Sequence, residues 1–185
     1  MKPYLSFLLL CLALKANAQF DESSSQIKAS IGFATEFPGL SGYAANLEYS
    51  LPVIPAFRAG LGTRYINLSG YPRTDQVNEF THAETIDFNG YWLPFSSERQ
   101  VISLGIGYSF CFYNIRRAYP IMDGENGKVT NWFVQESSGR SSGVNLFCEY
   151  AYHFPNSAWS AGFRAAWYKS YTRVYYLGPV VGIQF

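Results

Sequence analysis

From residue 26 onward, apolar and polar positions alternate with a period of two, the spacing of a strand with one apolar and one polar face. Residues 26–36 set Ile27, Ala29, Ile31 and Phe33 against Lys28, Ser30, Gly32, Ala34 and Glu36. The same alternation recurs over residues 43–51, 57–66, 84–93, 101–113, 142–154 and 159–168. The run at 101–113 is the clearest, with Ile102, Leu104, Ile106, Tyr108, Phe110 and Phe112 opposed by Ser103, Gly105, Gly107, Ser109 and Cys111. A last strand, 175–185, ends on Phe185 and carries Leu177, Val181 and Ile183 on the same apolar face, interrupted by Pro179, which has no N–H for a ladder.

The pattern predicts eight strands and no helix. Connections after the second, fourth and sixth strands are short, whereas 67–82 and 114–141 are long and polar; the latter is expected to form a hairpin of its own around Asp123-Gly124-Glu125-Asn126-Gly127. Alternation does not say which face points inward, but volume does. The apolar face carries Phe57, Phe88, Trp92, Phe110, Phe112, Tyr150, Trp159, Phe163, Trp167 and Phe185, while the other carries Gly32, Gly60, Gly62, Gly105, Gly107, Gly162, Gly178 and Gly182. An eight-stranded barrel has an interior just wide enough for side chains, so the small and polar set is expected inside. The fold expected is an all-β, eight-stranded antiparallel up-and-down transmembrane β-barrel. A soluble lipocalin-like or sandwich protein, with the aromatic face as a core, is the alternative.

Composition narrows the class. The chain has 15 Tyr, 15 Phe and 4 Trp and a net charge of +1, which suits aromatic girdles at membrane interfaces and offers no basic patch for nucleic acid. Residues 1–18 read as a signal peptide, with Lys2, an apolar run over 5–14 and Ala16-Asn17-Ala18 as the cleavage site, leaving 19–185 as the barrel domain. Leu10 before Cys11 argues against lipid attachment there. Cys111 and Cys148 are expected on neighbouring strands, on opposite faces and unpaired.

Signal peptide, alternating strands, unequal connections and the aromatic-terminated last strand together resemble the small outer-membrane β-barrel family, OmpA/OmpX-like in architecture, and the Ala18-Gln19 junction resembles exported proteins of the Bacteroidota. The resemblance implies export to the bacterial outer membrane, contact with outer-membrane lipid and lipopolysaccharide, and recognition of Leu177, Val181, Ile183 and Phe185 by the barrel-assembly machinery as an insertion signal. Members of the class act as anchors, adhesins, porin-like channels or lipid-modifying enzymes, and the fold does not choose among them.

Two sets of residues stand out as candidate sites. Lys28, Arg58, Arg64 and Arg164 face inward with Glu36, Glu48, Asp87 and Glu149, a balanced set expected to pair as a lumen charge network that closes or narrows the barrel. Arg116, Arg117, Tyr119, Trp132 and Phe133 in the long 114–141 segment suggest a binding surface for a surface protein, a glycan or lipopolysaccharide phosphate. No catalytic, cofactor or metal site is expected. His82 is read as a loop residue without an identifiable Ser partner, His153 as a lumen hydrogen-bonder, and neither histidine nor cysteine spacing matches a ligand cluster. The expected function is structural or surface-interacting, without catalysis; a narrow pore and, less favoured, a lipid A-modifying enzyme are the alternatives.

Overall fold

In a computed structural model, which describes residues 24–37, 39–54, 56–74, 77–123 and 127–185, the alternating segments form eight strands. They are β1 (Gln26–Glu36), β2 (Leu40–Ile54), β3 (Phe57–Gly70), β4 (Glu79–Ser96), β5 (Gln100–Met122), β6 (Val129–His153), β7 (Trp159–Lys169) and β8 (Arg173–Gln184). Each is antiparallel to its sequence neighbours, and β8 returns to β1, closing the barrel. The proposed signal peptide lies outside the described residues.

Inside and outside follow the expected parity. On β1, Lys28, Ser30, Ala34 and Glu36 are buried while Ile31 and Phe33 are exposed; on β5, Ser103, Ser109 and Cys111 are buried while Ile102, Leu104, Ile106, Tyr108, Phe110 and Phe112 are exposed. The outward run from Ile102 to Phe112, at about 3.3 Å per residue and a tilt of about 40°, rises about 25 Å, the height of the apolar band of an outer-membrane barrel. Its exposed residues join those of neighbouring strands into a continuous apolar surface, far larger than a water-soluble monomer tolerates. This excludes the soluble alternative, in which those aromatics would form a core.

The barrel is stepped. At the end that holds Gln26 and Gln184, the connections from β2 to β3, β4 to β5 and β6 to β7 are short. At the opposite end β5 and β6 run beyond their neighbours. The 114–141 segment is strand along most of its length, as an extension of β5 to Met122 paired with an extension of β6 from Val129. Tyr119, Ile121, Val129, Trp132, Phe133 and Val134 are β-formers, and their pairing outcompetes a loop. Likewise β3 and β4 shorten the expected 67–82 loop to 71–78. His82 therefore lies on β4, opposite Asn67 and Asn114, with its ring stacked on Phe80 at 4.7 Å.

The closing seam explains Pro179. Pairing of β1 with β8 steps from Ser30↔Val180 directly to Phe33↔Leu177, so the gap in the ladder falls at Pro179, which has no N–H to donate. There Gly32 and Gly178 bring the backbones together: a Cβ on Gly178 would lie 2.6 Å from Gly32 Cα and 2.8 Å from the Ile31 carbonyl oxygen. Gly178→Ala is expected to lower stability by about 1–3 kcal/mol through overpacking, read as a lower urea midpoint of the refolded barrel. An unchanged midpoint would show that the seam relaxes freely.

Candidate functional site in the lumen and the protruding ribbon

Inward parity places the ionisable residues of several strands in one narrow lumen. Glu149 on β6 is the hub nearest the termini. It accepts from Lys28 Nζ on β1 at 2.5 Å and from Arg164 on β7 through Nε at 2.8 Å and a terminal nitrogen at 2.5 Å. Arg164 also reaches Glu48 on β2 at 3.4 Å, and Asn89 Nδ2 on β4 donates to Glu48 at 2.7 Å. These contacts span the barrel. Aromatic faces cover the cations: Arg164 lies 4.9 Å above the Phe147 ring and Lys28 Nζ 5.0 Å above Tyr91, and the two rings meet edge-on at 4.9 Å. The Phe147 ring occupies the space a side chain at Gly105 would need, 1.9 Å from its Cβ position, so glycine there lets the aromatic cross the lumen.

A second layer centres on Arg64, which donates to Asp87 at 3.1 Å, Ser109 at 3.3 Å and Asn145 at 3.4 Å and stacks 3.5 Å above Tyr168. Ser109 and Thr85 also donate to Asp87, at 2.5 and 2.8 Å, so that three donors converge on its Oδ1. A third layer lies near the ribbon end. Arg117 pairs with Glu36, to which Thr81 and Thr172 donate at 2.6 and 2.8 Å. Tyr171 stacks on Tyr113 at 4.6 Å above it, and burial pushes its hydroxyl pKa up, with Glu36 adding to the rise. Arg58, toward the termini, donates to the carbonyls of Ser24 at 2.6 Å and Ser50 at 3.4 Å rather than to a carboxylate on those bonds.

Arg117 departs from the sequence reading, which placed it on an exposed loop. Continuation of β5 keeps its parity with Cys111, so its side chain turns inward and supplies the cation for Glu36. The signal was available in the alternation Cys111, Tyr113, Ile115, Arg117, had the strand been extended past residue 113. His153 is inward and buried, and Cys111 and Cys148 are free, one buried and the other exposed on the outside. Among the described residues no cluster of His, Cys, Asp or Glu has the arrangement of a metal site. Within the terminal segment Leu177, Val181 and Phe185 point outward and exposed, whereas Ile183 is buried between its register partners Ile27 and Trp159.

The other surface residues sit on the ribbon. Pairing of β4 with β5 stops at Phe80↔Arg116, and pairing of β6 with β7 begins only at Val144↔Lys169. Beyond those points β5 and β6 pair only with each other, up to Met122↔Val129. Tyr119 and Phe133 are directly opposite on one face, both exposed; Pro120 and Trp132 are opposite on the other, with Trp132 half-buried. Arg116 forms an exposed ion pair with Glu136 and lies 5.3 Å above the Phe80 ring. Along Val129 to Gly143, β6 has no strand on its far side among the described residues, so a row of backbone donors and acceptors faces outward.

Neither family models nor curated proteins match the chain. Solved structures do. Neisserial surface protein A superposes with a TM-score of 0.55 at 15% identity, covering 89% of this chain and 98% of that one. The N-terminal β-barrel domain of Pseudomonas aeruginosa OprF gives 0.54 at 11% identity over 88% of this chain and 98% of that one. Ail, the attachment invasion locus protein of Yersinia pestis, gives 0.52 at 10% identity over 89% of this chain and 100% of that one. At these identities the likeness concerns the fold, and it agrees with the closed ring and apolar exterior: the chain has the fold of the small eight-stranded outer-membrane β-barrels.

Proposed function

We propose that the protein is an integral barrel of the bacterial outer membrane, exported through its N-terminal signal peptide, that acts by surface interaction through the β5–β6 ribbon rather than by catalysis or transport. The observation that carries this reading is the ribbon itself: paired with β5 on one side, β6 along Val129 to Gly143 has no strand on its far side among the described residues, and the ribbon is crowned by exposed Tyr119 and Phe133. Such an edge accepts an extended segment of another protein by strand addition, and the aromatic and cationic side chains suit a glycan. Ail has been crystallised with the heparin analogue sucrose octasulfate, which supports an acidic glycan as a second ligand class. The filled, cross-linked lumen argues for a closed barrel over a pore. Leu177, Val181 and Phe185, facing outward at the end of the chain, fit a signal read by the assembly machinery during insertion.

The test replaces residues 118–133 by a short Asn-Gly turn and compares parent and variant in proteoliposomes on immobilised heparin and on surfaces coated with envelope protein. The variant is expected to fold and span the membrane like the parent while losing binding to both surfaces. Equal binding by the two would contradict the assignment, and conductance steps from the parent in planar bilayers would favour a channel instead.

A further inference from the structure

The outward face changes character at the β7–β8 hairpin. Below the turn, cross-strand pairs on that face are apolar or aromatic: Phe163↔Pro179, Ala165↔Leu177 and Trp167↔Tyr175. The next outward pair is Lys169↔Arg173, both exposed. Two cations directly opposite on one face of a hairpin repel each other and weaken it, so the arrangement calls for an anion. Among the described residues, neither forms an ion pair. Glu36, whose register partner Val174 adjoins Arg173, is turned into the lumen and held by Arg117, Thr81 and Thr172. Beside the cations lies an open cleft bounded by Phe37 and Tyr175; Phe37 is 82% exposed and Tyr175 51%.

We infer that Lys169 and Arg173 form a docking site for the phosphate of a phosphorylated glycolipid of the lipid A class in the outer leaflet. The aromatic pair Trp167–Tyr175 marks the top of the lipid-facing band, so the two cations stand at the depth where headgroup phosphates begin. Arginine grips phosphate with its planar fork and lysine as a point charge, and both are neutralised by one dianionic group. Phe37 and Tyr175 offer apolar faces to the sugar carrying it. The assignment rests on the reading of the chain as an outer-membrane barrel with the ribbon end facing outward.

The experiment uses the full mature chain refolded in detergent, with native mass spectrometry reading bound lipid. Diphosphorylated lipid A, its dephosphorylated form and inorganic phosphate are the probes, and the proteins are the parent, K169Q/R173Q, K169Q alone and R99Q. Arg99, exposed between β4 and β5 at the opposite end of the barrel, serves as the control. The expected result is that diphosphorylated lipid A binds the double variant about tenfold more weakly than the parent, equivalent to about 1.4 kcal/mol, with K169Q intermediate and R99Q unchanged. Equal retention by parent and double variant would overturn the site. Equal binding of dephosphorylated lipid A would overturn the role of phosphate, and displacement of lipid A by inorganic phosphate at the same concentration would assign the site to free anions. Failure of the outer-membrane reading is seen separately, as a parent protein that stays soluble without detergent; if the double variant does not refold, K169Q alone decides.

Discussion

Glu149→Ala is expected to lower the stability of the refolded barrel by about 3–5 kcal/mol, the cost of removing one member of a buried charge cluster and leaving its partners uncompensated. The carboxylate is held by Lys28 and Arg164, and all three side chains are at most one-tenth exposed. Without it, Lys28 loses its ion pair and Arg164 keeps only the longer contact to Glu48 at 3.4 Å. Loss of Lys28 has a smaller expected effect, because Glu149 would still be gripped by Arg164 through two nitrogens. Lys28→Met and Glu149→Ala should therefore combine non-additively: once Glu149 is gone, removing the orphaned Lys28 restores part of the loss. Urea unfolding in lipid vesicles, followed by tryptophan fluorescence, reads both effects. A Glu149→Ala midpoint equal to the parent's would mean that water enters the lumen freely and that the layer is not sealed.

Ile106→Arg is expected to destabilise the lipid-embedded protein by about 2–4 kcal/mol, the cost of a cation on the lipid face near mid-depth. Ile106 is 63% exposed and lies midway along the outward run of β5, flanked across the sheet by Gly90 and Leu146. The sign of this effect is diagnostic. On a water-soluble protein, an exposed isoleucine replaced by arginine changes stability by at most a few tenths of a kcal/mol. Arg substitution at Asn114 or Ser138, which are register partners on the outward face beyond Phe112, should cost little in either setting. Urea midpoints in vesicles across such a series would trace the edge of the apolar band. A flat profile would contradict the bilayer assignment.

Much of this architecture is legible in the sequence because a period of two is enough to assign each side chain to a face, and small residues on one face against aromatics on the other decide which face turns inward. Lys28, Glu48, Arg64, Asp87, Glu149 and Arg164 could be placed in the lumen on that basis alone. Their partners could not, since Lys28 meets Glu149 across the barrel, and such a contact depends on tilt and stagger rather than on local spacing. Strand ends were the other difficulty. The hairpin expected in 114–141 is there, but it is continuous with the barrel: cross-strand pairing carries β5 and β6 through the segment instead of ending them near 113 and 142. Extending the parity moves Arg117 from the presumed binding surface into the lumen. It also separates Arg116 and Trp132 from Tyr119 and Phe133, which occupy opposite faces of the ribbon. Ile183 illustrates a third limit: it has outward parity, yet its neighbours Ile27 and Trp159 cover it.

The most direct test of the inside-out barrel is gel mobility of the mature protein refolded into lipid vesicles, compared boiled and unboiled, with fractionation of the producing cells in parallel. The account predicts a faster-migrating unboiled band that shifts on heating, and recovery of the protein with the outer membrane. A product that is soluble without detergent and migrates identically before and after boiling would contradict it, and the exposed face of Ile102 to Phe112 would then have to be buried in some other assembly.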